Sequence, residues 1–78
     1  MPRKDGYNIG AAVKYYREIK GLSQRKLAKE VNISNAMISL LERSKRGSVG
    51  ADIMYEISIV LDVSCDLLMK KAKELGGV

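Results

Sequence analysis

The sequence predicts an all-α protein, a compact five-helix bundle, and three observations carry that expectation. Apolar residues recur at helical rather than alternating spacing along the chain. The only proline is Pro2, so nothing interrupts a helix further on. Asn, Ser and Asp residues stand just ahead of the apolar-periodic segments, where a side-chain oxygen caps a helix start.

The first helix begins after Asn8, places Ile9, Val13 and Tyr16 on one face, and stops at Gly21, a residue suited to a left-handed C-cap. Ser23 caps the second helix, which runs to about Val31 with Leu27, Ala28 and Val31 inward. Asn32 stands where the tight turn that follows requires a positive φ, which Asn tolerates. Ser34 caps a third helix, with Ile38 and Leu41 on its buried side and an end near Ser44. A glycine-containing loop over 45–51 leads to a fourth helix capped by Asp52. Within it, residues 57–63 are the only stretch that resembles a strand. Ile53, Met54, Ile57, Val60 and Leu61 follow i, i+3, i+4, i+7 spacing and decide for helix. Ser64 caps the fifth helix, Asp66 lies in its first turn where a carboxylate suits the dipole, and Leu67 and Leu68 close the core. The resulting organisation is a basic N-terminal arm over 1–8, one domain over 9–75 and a tail over 76–78.

Size and composition narrow the function classes. A chain of 78 residues makes one domain and buries only about 60% of its unfolded surface, so its core has to be compact. No apolar run approaches the roughly 20 residues of a membrane span. Residues 1–8 are polar and basic, unlike a signal peptide, and the chain reads as cytoplasmic. There is no histidine, and the one cysteine, Cys65, forms neither an intramolecular disulfide nor a zinc site. A structural thiol is the plain reading of Cys65, with an intermolecular disulfide or redox switch as the other. No cofactor, metal or small-molecule ligand is indicated. Enzymatic acid–base or nucleophilic work needs convergent groups, and Ser39 and Cys65 have no candidate activating partner.

The net charge of +5 favours an anionic partner, nucleic acid before membrane. The cations cluster as Arg3 and Lys4, then Arg25, Lys26 and Lys29, then Arg43, Lys45 and Arg46, then Lys70, Lys71 and Lys73. Arg3 and Lys4 fit either an arm along DNA or a disordered terminus. The last group fits a solvated helix face.

Residues 23–42, SQRKLAKEVNISNAMISLLE, predict two short helices joined by a turn of three or four residues. Such a tight pair crosses steeply and needs a small residue at the crossing, which Ala28 supplies; Val31 and Ile33 bracket the turn. The arrangement leaves the start of the second helix exposed, and a helix fits the DNA major groove.

The segments GLSQRKLAKEVNIS and AMISLLER resemble the lambda-repressor-like helix-turn-helix family of Xre/Cro type, and the likeness continues through IVLDVSCDLL. It covers roughly three quarters of the chain. The resemblance implies that Gln24 opens the second helix and binds phosphate with Arg25 beside it. It places Ser34, Asn35 and Ala36 at the base-reading start of the recognition helix, with Ser39 and Leu40 one turn further on. Arg43, Lys45 and Arg46 match the basic stretch that grips the backbone, and Arg17 and Glu42 a salt bridge between the first and third helices.

Asn35 suits a bidentate contact to adenine, or a cap or phosphate contact. Leu40 suits a thymine methyl, or packing against its own neighbours. The loop RGSVGAD departs from the family pattern, and no arginine precedes Arg43 on the recognition helix.

The function implied is a sequence-specific regulator of transcription, a repressor that binds a palindromic operator on double-stranded DNA as a homodimer. Family members often pair through the last two helices, which points to Met54, Tyr55, Val63, Cys65 or Met69. The alternative is a protein-interaction module of the same fold, an antitoxin or transcription cofactor. It would show an exposed apolar surface around Tyr15, Ile19, Tyr55 and Leu40 and weak DNA binding.

Overall fold

The computed structural model describes residues 7–43 and 50–76. They form five helices: α1 (Ile9–Lys20), α2 (Gln24–Val31), α3 (Asn35–Arg43), α4 (Ala51–Leu61) and α5 (Cys65–Gly76). Among the described residues there is no strand. α1 packs chiefly on α5 and α3, α2 lies against α3 and α4, and the core forms between them. That core is Ala12, Val13, Leu27, Ala28, Val31, Ile38, Leu41, Ile57, Leu61, Leu68 and Ala72. No helix among the described residues is long and apolar enough to cross a membrane.

The boundaries follow from local chemistry. Asn8 Oδ1 accepts from the Ala11 N–H, Ser23 Oγ from Lys26, Ser34 Oγ from Met37 and Ser64 Oγ from Leu67, each at 3.0 Å. Each bond satisfies one N–H that the helix itself leaves without a partner. Gly21 (φ 77°) and Asn32 (φ 62°) end α1 and α2 in the left-handed region. Asn32 is the tightest constraint of the turn, so Asn32→Val should cost about 1–2 kcal/mol through the clash of a branched side chain at positive φ, while Asn32→Gly should be near neutral. Urea midpoints of the two variants test this; equal midpoints would show that the turn tolerates a different backbone.

Three expectations need correction. The N-cap of α4 is Gly50, not Asp52. The helix starts two residues earlier than read, which puts Asp52 in the first turn, where it favours the dipole without capping. Leu67 does not close the core: Leu68 is fully buried, but Leu67, some 100° round the helix, is exposed. Lys71 is more than a solvated cation. Its Nζ lies 4.4 Å from the centre of the Tyr15 ring and 2.8 Å from Glu74 Oε1. The hydrogen bond between them raises the pKa of Lys71 and lowers that of Glu74. α4 ends on Asp62 (φ 60°), which the hydrophobic pattern did not reveal.

Candidate nucleic-acid interface

The turn between α2 and α3 is built from backbone bonds that leave little freedom. The Asn32 N–H donates to the carbonyls of Ala28 and Lys29, and the Ile33 N–H donates to Ala28 O at 3.0 Å. Ile33 packs against the core and Ser34 starts α3 at once. The orientation of α3 is then fixed from the other side by Arg17. This arginine is buried at 8% exposure and joins α1 to α3 and to the turn before α2. Its Nε donates to Glu42 Oε2 at 2.7 Å, its Nη2 to Glu42 Oε1 at 3.0 Å, and its Nη1 to Leu22 O at 2.7 Å. The hydrogen bond to Glu42 also holds the Arg17 pKa above its already high ordinary value. The two-point geometry is the strong form of the arginine–carboxylate contact.

Gln24 joins this network, its Nε2 donating to Glu42 Oε1 at 2.9 Å. An amide nitrogen has two hydrogens, so one remains for an outside acceptor such as phosphate. The start of α2 is thereby locked to the end of α3. Arg25, Lys26 and Lys29 are exposed on α2, with Lys26 loosely paired to Glu30 at 3.5 Å. Such a surface pair is worth little and is readily exchanged for a phosphate.

On α3, Ile38 and Leu41 point into the core. Ala36, Leu40 and Arg43 follow i, i+4, i+7 on the opposite side and are exposed. Asn35 is exposed at the first helical position, and Ser39 is half-buried. Ser34 is exposed, with its oxygen engaged as the cap and its hydroxyl hydrogen still able to donate. Leu40 is 60% exposed, so it does not pack against its own neighbours. Lys45 and Arg46 lie outside the described residues.

Sequence reasoning passed over Met37, which is 47% exposed and one turn from Leu40. Helical spacing does not reveal it, because Met37 stands four residues before the buried Leu41 and so on the same flank of α3; its exposure is decided by how the other helices pack. It also passed over Ile59, exposed on α4 one turn from Tyr55. The arrangement suits binding: a rigid helix presents hydrogen-bonding and apolar groups between cations. Among the described residues no group of His, Cys, Asp and Glu side chains is placed to hold a metal ion.

The sequence profile of the helix-turn-helix family matches residues 13–68. The chain is 32% identical over 66 residues to the transcriptional regulator SinR of Bacillus subtilis, covering 85% of this chain and 60% of SinR. It thus spans less than two thirds of that relative's length. Among solved structures, SinR in complex with DNA superimposes with a TM-score of 0.72 at 33% identity, covering 77% of this chain and 95% of that one. The clp gene regulator ClgR of Corynebacterium glutamicum gives 0.82 at 27% identity, covering 90% and 73%.

Proposed function

The chain belongs to the helix-turn-helix family of the lambda-repressor, Xre/Cro type, and from that premise we propose that it is a sequence-specific, double-stranded DNA-binding regulator of transcription rather than an enzyme. It works in the cytoplasm as a repressor, docking α3 in the major groove of a palindromic operator. The observation that carries this reading is the outward face of α3, with Asn35, Ala36, Leu40 and Arg43 exposed beside the exposed cations of α2. Phosphate contacts from Arg25, Arg43 and the free amide hydrogen of Gln24 set the register, and the side chains of α3 read the bases. The α2 N-terminus adds N–H groups to the phosphate site.

One domain of this size buries little DNA, so useful affinity calls for two half-sites and a two-fold dimer. Tyr55 and Ile59 support a pairing face on α4: both are exposed, and Ile59 lines a depression with Ser58, Asp62, Val63 and Ser64. Met54 and Val63 are largely spent on the protein's own core, which leaves Tyr55 the best placed of the residues considered for pairing.

A second reading, a protein-binding module, draws on the exposure of Tyr15, Ile19, Tyr55 and Leu40. These lie on three different helices, and Tyr15 is occupied by Lys71. Selection from a randomised DNA pool under rising salt separates the two. A regulator enriches a palindromic motif with half-sites about one helical turn apart. Asn35→Ala then loses about tenfold or more of the preference at an adenine of that motif. Binding that is uniform across sequences and vanishes at moderate salt is counterion release alone, and would transfer the function to a protein partner.

A further inference from the structure

We propose that Ala36, Met37 and Leu40 form an apolar reading surface for thymine methyl groups, so that T·A pairs rather than guanines dominate the half-site; this rests on the DNA-binding reading above. The three residues lie within one turn of each other on α3, and all are exposed. A domain this small leaves Leu40 and Met37 in water only at a cost of apolar exposure that a partner surface removes. The rest of the helix narrows what that partner is. Between Asn35 and Arg43 the polar side chains are Ser39, half-buried, and Glu42, committed to Arg17. Nothing there donates twice to the O6 and N7 of guanine, and no carboxylate is left for cytosine N4.

The major groove offers apolar surface at one place only, the C5-methyl of thymine. Leu40 set against a G·C pair would strip water from cytosine N4 or guanine O6 and return no hydrogen bond. Attraction and rejection therefore point the same way. Met37 follows the groove wall with an unbranched, adaptable chain, and Asn35 at the helix start suits the adenines of the same steps. The exposed cations Arg25, Lys29 and Arg43 around this patch match the charge of duplex phosphates.

Deoxyuridine differs from thymidine only by that methyl, so it gives the test. Each thymine of the best duplex from the selection is replaced singly by deoxyuridine, and affinity is measured at fixed salt. We expect a loss of about fourfold at one or two positions per half-site, the value of one buried methyl-sized group. Leu40→Ala should abolish the penalty at its own thymine, while its melting temperature stays as in the parent protein, since the side chain is exposed. A selected site whose thymines all tolerate deoxyuridine would overturn the inference and leave the regulator reading standing. So would a penalty that Leu40→Ala and Met37→Ala both leave intact, because it would then come from DNA shape. If no site is enriched at all, both readings fall.

Discussion

Replacing Arg17 by methionine is expected to cost the domain about 3–5 kcal/mol of folding stability, because the Glu42 carboxylate would be left buried with one neutral hydrogen bond. The Glu42 side chain is only 3% exposed, so water cannot replace the guanidinium. A chain of 78 residues has a total stability of about 0.05–0.15 kcal/mol per residue, so this loss is a large share of the whole. The companion experiment is the double variant Arg17→Met, Glu42→Leu. It removes both charges and should be more stable than Arg17→Met alone, since the desolvated carboxylate is gone. Urea denaturation of the three proteins decides the matter. A double variant no more stable than Arg17→Met would show that the ion pair acts through lost packing and not through an uncompensated charge.

The alkaline response of this pair follows from Arg17. The Arg17 pKa is raised by its hydrogen bond to Glu42, so its contribution is fully present below the unfolded arginine value and is lost only as pH rises through the higher folded one. Both lie beyond the range in which proteins are handled, so mild alkali should leave the pair intact. Because Glu42 also holds Gln24, breaking the pair should loosen the start of α2, and DNA affinity should fall along with stability.

Gly10→Ala should be the other severe change. In an ordinary helix interior the substitution stabilises by about 0.5–1 kcal/mol. Here the sign reverses. A Cβ on Gly10 would overlap the Leu41 carbonyl oxygen and lie 2.9 Å from the Leu41 carbonyl carbon and 3.0 Å from Glu42 Cα. These are backbone atoms of α3, which cannot swing aside as a side chain does. α1 and α3 would have to separate, at a net cost of about 1–3 kcal/mol. The displacement falls on α3, the helix proposed to enter the major groove, so the sequence preference proposed above should weaken even at temperatures where the variant is folded. Gly50→Ala is the internal control: its Cβ would meet Asp52 Oδ1 at 2.7 Å, the end of a side chain that can rotate away. Thermal melts of both variants are the measurement. A Gly10→Ala protein that melts at or above the parent would mean that the α1–α3 approach is looser than the structure has it.

Most of the fold is legible in the sequence because its signals are local. Asn8, Ser23, Ser34 and Ser64 each bond an N–H three residues on, and Gly21 and Asn32 stop their helices at the residue itself. Leu27, Ala28, Val31, Ile38 and Leu41 follow a spacing that leaves one face to bury, and that face is buried. The exposed face of α3 that carries Ala36, Leu40 and Arg43 comes from the same periodicity, as its complement. Where local signals compete, the reading slips: Asp52 has the chemistry of a cap, yet the helix had already started at Ala51.

The sequence by itself therefore determined the five helices, their inward faces and the helix-turn-helix segment, since each depends on residues within about a turn of one another. Only the tertiary structure decided that Gly10 lies against the backbone of Leu41, that Gln24 shares Glu42 with Arg17, and that Lys71 covers Tyr15. It also decided which apolar residues stay in water: Met37, Leu40, Ile59 and Leu67 do, while equally apolar neighbours do not. These outcomes depend on the distance between elements far apart in the chain, and that distance is set by the packing of all five helices together.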